Sequence, residues 1–400
     1  MLEQNRLSGT IYASRLVYAI NWFTIAPALI FIQKQLNVSS IELGLIASAF
    51  FIGLMPFQLL SGIISIKTSP RFLSITGLIL IGSFSIITGL SQSFTEIFIS
   101  RLVLGIGSAL FSSPALSLLS SDDRNLASRR VGNYNAIFSI GSGVSIIIWA
   151  VLDPFIGWRF SMYFTGILSL LCAFFIVVNI KPQHIKKESI ANKTELKRIL
   201  QSSKRWMLGF SAAIAPLSET IIGQFFVYYS EKTNLFSSLE SGIIISLYFI
   251  VGLLGGVIYG RFYNRTTHKN SLYMLTLTAC SILFITISFS RNLYVLIVVL
   301  WVIGALTAAI LSMLYFIVMQ LEPSSNYLPF SLGFNNFMQK VISISSPIVF
   351  IFIAVRVDYS MAWLILGVSG LFLAFLYPGL YSNIWEGDAG NSSNRFLTKP

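Results

Sequence analysis

Charge is what this 400-residue sequence has least of: 10% of it is Asp, Glu, Lys or Arg. Ordinary soluble domains carry about 25%. So few charges cannot cover a water-facing surface, which sets a soluble enzyme aside. Cysteine is nearly missing too. Cys172 and Cys280 both lie inside apolar runs, and neither fits a zinc spacing or a disulfide framework. The two histidines, His184 and His268, are too few and too far apart to argue for a metal site. No Gly-x-x-x-x-Gly-Lys-Ser/Thr loop is present, so nothing suggests ATP hydrolysis. No cofactor is expected. What the chain does have is apolar residues, 55% of the total, which excludes disorder.

A membrane-spanning helix needs about 20 predominantly apolar residues. Twelve such runs are legible, at roughly 11–32, 41–66, 72–92, 94–119, 131–153, 158–180, 207–230, 238–262, 271–289, 292–320, 328–355 and 360–381. The first is spotted with Arg15, Asn21 and Trp22, and no small-residue cleavage site follows it. It reads as span 1 and not as a signal peptide.

The net charge of +12 raises the question of nucleic acid, and the position of the basic residues answers it. Nineteen of 27 fall at the termini and in the even-numbered loops, including eight in 181–205. The odd-numbered loops hold five: Lys34, Arg159, Lys232, Arg291 and Arg356. By the positive-inside rule both termini are expected in the cytoplasm, so the chain is a multi-pass protein of the cell (plasma) membrane. The positive charge then serves topology and anionic membrane lipids, with no nucleic acid. Loop 10–11 is discordant, with Glu322 and no Lys or Arg. The longest loop is polar and basic, and Thr194–Arg205 is expected to form a short amphipathic helix on the membrane surface.

The two halves of the chain repeat each other. A shift of 198 residues puts Ser39, Ser40, Glu42, Gly44, Ile46, Ser48, Phe51 and Ile52 on identical residues at 237–250, Gly62 on Gly260 and Lys67 on Arg265. A shift of 201 puts Gly132, Asn135, Ser142 and Ser145 on Gly333, Asn336, Ser343 and Ser346. The expected organisation is an N-terminal six-helix half at 1–180, a cytoplasmic linker at 181–206, a C-terminal half at 207–382 and a cytoplasmic tail at 383–400. Parallel six-helix halves are a recognised transporter plan, with the substrate near mid-membrane between them.

Several segments sharpen this into a resemblance. Loop 2–3 reads Gly62-Ile-Ile-Ser-Ile66-Lys67-Thr-Ser69-Pro-Arg71, and loop 8–9 reads Gly256-Val-Ile-Tyr-Gly260-Arg261-Phe-Tyr-Asn264-Arg265. Span 4 opens with Arg101-Leu-Val-Leu-Gly105-Ile-Gly107 and continues to Pro114, and Gly157-Trp158-Arg159-Phe160 ends the turn between spans 5 and 6. With twelve spans and the repeat, the chain resembles the major facilitator superfamily (MFS) over residues 10–382. The resemblance implies an all-α membrane protein of twelve transmembrane helices in two pseudo-symmetric six-helix halves. It also implies that spans 1, 4, 7 and 10 border a central cavity. The loop motifs depart from the family's Gly-x-x-x-Asp-Arg-x-Gly-Arg pattern: Ile66 and Asn264 stand where it has Asp. The expected gating residues are Gly62, Lys67, Arg71, Gly260, Arg261, Asn264 and Arg265, with a weakened cytoplasmic latch. An Asp at position 66 that left transport unchanged would count against that weakening.

Ionisable groups inside spans cost about 2.5–3.5 kcal/mol each at the bilayer centre. They therefore pair, face water or carry function. Glu219 in span 7 is the one carboxylate well inside a span, and Lys340 lies near the middle of span 11. Two readings stand: Glu219 binds a proton or a substrate group, or it forms a structural ion pair with Lys340. Arg15 either lines the cavity or reaches toward headgroups. Arg101 is a candidate for substrate or proton handling, with a surface pair to Glu96 as the structural alternative. Trp22 either packs or stacks on substrate. The candidate cavity set is Arg15, Asn21, Trp22, Arg101, Glu219, Gln224, Asn336 and Lys340. Three cations against one anion favour an anionic group on the substrate.

The leading expectation is a secondary active transporter, not an enzyme. It would move a small organic solute by alternating access, coupled to protons and working as a monomer. The alternative is a drug/proton antiporter of the same superfamily. Span 5 carries no Pro in Ser139-Ile-Gly141-Ser-Gly143-Val-Ser145, which weakens that alternative. An intramembrane enzyme lacks the clustered His, Asp or Cys it would need, and a channel is disfavoured by a pseudo-symmetric monomer.

Overall fold

The computed structural model describes residues 2–119, 124–181, 193–290, 292–322 and 328–380. Its regular elements are helical. Span 1 is built of α1 (Leu2–Phe23) and α2 (Ile25–Leu36), spans 2–4 of α3 (Ser40–Lys67), α4 (Pro70–Leu90) and α5 (Phe94–Ser117), and spans 5 and 6 of α6 (Arg124–Ile156) and α7 (Trp158–Asn179). The linker forms α8 (Lys193–Gln201). Span 7 is α9 (Ser203–Ser211) plus α10 (Ile214–Lys232), and spans 8–10 are α11 (Ser238–Arg265), α12 (Lys269–Phe289) and α13 (Leu293–Leu321). Span 11 is α14 (Leu328–Val341), a 3-10 turn at Ile342–Ile344 and α15 (Ser346–Arg356), and span 12 is α16 (Tyr359–Ala374). Among the described residues eleven helical runs are long and apolar enough to cross a membrane, and α16 is a shorter apolar helix. The expected tail at 383–400 lies outside the described residues, as do the side-chain positions of Lys67 and Asn264 and the surroundings of Gly62.

Sequence chemistry sets the helix ends. Ser39 and Ser237 each accept from the backbone N–H three residues on, and Glu42 and Glu240 reach back to the two cap N–H groups. These are matching capping boxes, each supplying two otherwise orphaned helix-start donors with partners. They begin spans 2 and 8 at equivalent places in the two halves. Gly157, at φ +83°, makes the left-handed turn between α6 and α7.

The repeat extends to packing. A Cβ on Gly105 of α5 would strike the Phe50 carbonyl of α3, and a Cβ on Gly304 of α13 would strike the Tyr248 carbonyl of α11. Phe50 and Tyr248 are 198 residues apart, so one tight crossing is used twice. Small residues let helix backbones approach where lipid supplies no hydrophobic drive. In the first half α3 and α4 pack on α5, α4 on α7, and α1 on α6 and α7. In the second, α11 packs on α13 and α12 on α16. The halves meet where α6 faces α11, α3 faces α14 and α15, and α2 faces α10.

Three spans that read as continuous are broken. The breaks fall at Thr24, at Ala212–Ala213 and at Ile342–Ser345. A proline removes the hydrogen bond to the carbonyl four residues earlier and crowds it. Pro27, Pro216 and Pro347 therefore act at positions 23, 212 and 343, at or beside the three breaks. The expected linker helix is also divided: it ends at Gln201, and a new helix starts at Ser203. Its Ile199 is fully buried against Phe334 and Met338 of α14. The helix thus docks on span 11 through that side chain, where a membrane-surface position was expected.

Glu322 explains itself in the same region. It is 2% exposed, and Arg205 at the start of span 7 donates to its Oε2 over 3.1 Å. Arg198 of α8 approaches its Oε1 to 3.7 Å, and Ser331 of α14 donates to Oε2 over 3.3 Å. The basic charge missing from loop 10–11 is supplied from α8 and α9, tying the ends of spans 7, 10 and 11 together.

Candidate functional site

Three of the candidate residues lie close to a helix break. Trp22 precedes the break in span 1, Glu219 follows the one in span 7 by six residues, and Lys340 precedes the one in span 11. Broken helices place such groups at a site because their backbone is free to depart from a straight rod.

Glu219 is half-buried, while Ser218, Thr220, Ile221 and Ile222 beside it are buried. Lys340 and Asn336 are half-buried as well, among buried Asn335, Met338 and Gln339. These three positions keep some accessible surface although the residues beside them are buried. The Lys340 ammonium sits 5.5 Å from the Trp22 ring, joining span 11 to span 1. Glu219 lies within electrostatic reach of Lys340 first and Arg15 second. Among the described residues the ion pairs within 4.0 Å are Lys34–Glu231, Arg198–Glu322 and Arg205–Glu322. Glu219 and Lys340 are not in direct contact.

Arg15 does not reach toward headgroups. It is 9% exposed, and its guanidinium stands 4.2 Å from the Tyr134 ring, 4.4 Å from Phe138 and 4.8 Å from Tyr18. Span 5 and span 1 build this aromatic box together. Aromatic faces hold a cation by about 2 kcal/mol when desolvated, without neutralising it. Lys340 over Trp22 is held in the same way. Both cations thus keep their charge available to an anion.

Arg101 is 1% exposed, 5.0 Å from the Phe50 ring, with Nε and Nη2 unpartnered. Its suggested partner Glu96 is occupied elsewhere: its Oε2 accepts from the Gln92 N–H at 2.7 Å and its own N–H donates to Ser93. Asn21 and Gln224 are buried, and neither amide has a partner on its oxygen or nitrogen. Asn336 is engaged: Tyr315 donates to its Oδ1 at 3.0 Å and Gln339 at 2.7 Å. Trp22 is 7% exposed and touches the rings of Tyr18, Phe23, Phe50, Phe51 and Phe138.

Sequence reasoning missed Tyr134, Phe138, Tyr315 and Gln339. Tyr134 and Phe138 are four apart on one face of span 5, a visible signal, but nothing in the sequence aimed that face at Arg15. The gating residues are dispersed. Arg71 donates to the Val177 carbonyl at 2.8 Å within the first half, Arg261 and Arg265 are exposed, and Gly260 lies against Phe316.

The halves are joined at the end that carries the odd-numbered loops. Lys34 of α2 pairs with Glu231 of α10 at 3.5 Å, and Ser40 of α3 bonds Tyr228 of α10 at 2.8 Å. A Cβ on Gly44 would sit 3.2 Å from the Pro347 carbonyl. Deeper in, Ser246 of α11 donates to the Gly143 carbonyl of α6 at 2.7 Å.

A polytopic membrane protein of two like halves, with charged groups at their seam and broken helices around them, is the class these features define. The family model described as Major Facilitator Superfamily matches residues 11–212 and again 208–396, and the chain belongs to that family. It is 24% identical over 278 residues to a probable hexose phosphate transport protein of Chlamydia muridarum, covering 60% of this chain and 59% of that one. It is 25% identical over 271 residues to a hexuronate transporter of Bacillus subtilis, covering 64% of each. These alignments span about six-tenths of the relatives' length. Among solved structures, a D-xylose-proton symporter superposes with a TM-score of 0.78 at 12% identity, covering 95% of this chain and 97% of that one. A nucleoside transporter gives 0.74 at 14%, covering 94% and 100%. At such identities the likeness is one of fold.

Proposed function

We propose that this protein is a proton-coupled importer of a small hydroxylated organic anion, working by alternating access at the seam between its halves. The observation that carries this is the set of in-span cations held by aromatic rings and not by carboxylates. A substrate carboxylate or phosphate can meet Lys340 and Arg15 without first displacing an acid. Asn21 and Gln224 each offer an unpartnered donor and acceptor, the combination that a hydroxyl group satisfies. The relatives named for hexose phosphate and hexuronate agree with a hydroxylated anion.

Glu219 is assigned the proton. With Glu219 protonated, Lys340 and Arg15 turn to the substrate. On proton release the carboxylate competes for the same cations and favours substrate departure. Ligand and proton thus act on one set of charges, the differential interaction that coupling requires. Basic loops support cytoplasmic termini; with that orientation the joined end faces outward and this state is closed to the outside. In this reading Arg101, Trp22 and Asn336 also belong to the cavity, and the loops that carry Gly62, Lys67, Arg71, Gly260, Arg261, Asn264 and Arg265 are assigned to the cytoplasmic gate.

Uptake into proteoliposomes is the test, screening sugar acids, sugar phosphates, neutral sugars and cationic drugs with and without an inward proton gradient. Gradient-driven accumulation of an acid or phosphate is expected. Accumulation of a cationic drug inside the vesicles when the proton gradient is directed outward would replace this reading with that of an antiporter.

A further inference from the structure

A second site lies away from the seam, on the outer surface where α1 meets α7. Gly9, Thr10, Ala13 and Ser14 of α1 and Cys172, Phe175 and Asn179 of α7 enclose an open groove of about 240 Å³. The Asn179 amide donates to Thr10 Oγ1 at 3.1 Å across it. Ser14 and Cys172 are buried and form its floor, while Phe175 is half exposed along its wall. A Cβ on Gly9 would meet nothing within 4 Å, so the space beside it is empty of protein.

Polarity changes along the groove. On a helix, residues three, four and seven apart share a face, so exposed Arg6 stands at the mouth above Gly9, Thr10 and Ala13. Exposed Lys181 follows Asn179 by two residues at the same end. From Arg6 to Ala13 the helix rises about 10 Å, passing from cationic through hydroxyl and amide to an apolar side chain, with the Ser14 hydroxyl on the floor. Small residues on a span also suit a neighbouring helix. A second copy of this chain meeting the same face by two-fold symmetry would bring Arg6 and Lys181 against their own copies. A lipid with an anionic headgroup meets the same gradient with opposite charge.

We propose that this groove is a binding site for an anionic phospholipid, its phosphate at Arg6, Lys181 and Asn179 and part of one acyl chain beside Ala13, Cys172 and Phe175. Basic residues near a membrane attract anionic headgroups by about 1 kcal/mol each, and here two lie close in sequence to the lining residues at one end of the groove. The site bridges spans 1 and 6, and span 1 carries Arg15 and Trp22. Lipid occupancy therefore bears on the stability of the first half independently of any transported solute.

Native mass spectrometry of the purified full chain tests this, titrating phosphatidylglycerol and phosphatidylcholine separately. The wild type is expected to retain one phosphatidylglycerol with roughly tenfold preference over phosphatidylcholine. Gly9→Leu, which fills the groove, should abolish that bound lipid. Arg6→Gln with Lys181→Gln should erase the preference while leaving weak binding of both lipids. Each variant is first checked for a monodisperse elution profile. Equal retention of phosphatidylglycerol by the wild type and Gly9→Leu would overturn the proposal, as would a preference that survives the double charge removal. A dimer in the wild type that Gly9→Leu dissolves would assign the groove to a second copy instead.

Discussion

Replacing Glu219 by Gln removes one charge at nearly constant shape, and the structure bounds the consequences. The carboxylate is more than 4.0 Å from Lys340 and from Arg15. At an effective dielectric near 20 its attraction to each is therefore below about 4 kcal/mol. Both cations keep their aromatic partners in the variant. The loss of stability should then fall short of the about 3–5 kcal/mol that follows breaking a direct buried pair. The variant should fold. Its functional loss should be selective. A one-proton symporter in a gradient of one pH unit has about 1.4 kcal/mol available, enough for roughly tenfold accumulation. Glu219→Gln should reduce that ratio to about one while substrate counterflow, which needs no gradient, continues. The assay is paired: accumulation and counterflow of the same labelled substrate in the same proteoliposomes. Tenfold accumulation by the variant would refute the assignment. Loss of both activities with a folded protein would make Glu219 a substrate ligand and not the proton site.

Other expectations follow from the same geometry. Lys340→Met should raise the substrate KM at least tenfold, and the double variant with Glu219→Gln should melt within about 1 kcal/mol of Lys340→Met, because no direct pair is broken; a double far more stable than either single would restore the ion pair. Glu322→Ala removes the buried carboxylate that Arg205 and Arg198 meet, a cost of about 3–5 kcal/mol, read as a melting temperature lowered by several degrees; an unchanged melt would deny Glu322 its tying role. Tyr228→Phe with Lys34→Ala removes two bonds between the halves at the joined end and should increase labelling of a cysteine placed at Gly44 by a membrane-impermeant reagent applied outside; unchanged labelling would show that these bonds do not hold that end closed.

Most of the fold was written in composition and period. Twelve apolar runs, the 198-residue repeat and the capping pairs Ser39–Glu42 and Ser237–Glu240 are local features, and each appears as a helix or a cap. The breaks were also present in the sequence as Pro27, Pro216 and Pro347, but Pro56, Pro114 and Pro154 sit inside unbroken helices. A proline alone does not tell the two outcomes apart, because neighbouring helices decide whether the freed carbonyl finds a partner. The site was legible as a list and not as an arrangement. Glu219 and Lys340 stood out because charge in a span is costly. Arg15 was ambiguous because its position along span 1 does not say which way it faces. Its box of Tyr18, Tyr134 and Phe138 depends on span 5 packing against span 1, a contact over 119 residues of chain between Arg15 and Tyr134. Glu322 looked out of place for the same reason: Arg205 comes from 117 residues earlier in the chain.

Proton movement during substrate entry tests the central claim most directly. Proteoliposomes holding a pH-sensitive dye, with no gradient imposed, receive an outside pulse of the acid or phosphate that the uptake screen selects. The account predicts internal acidification that tracks substrate entry and disappears in Glu219→Gln. Entry of the same substrate with no change in internal pH would contradict it.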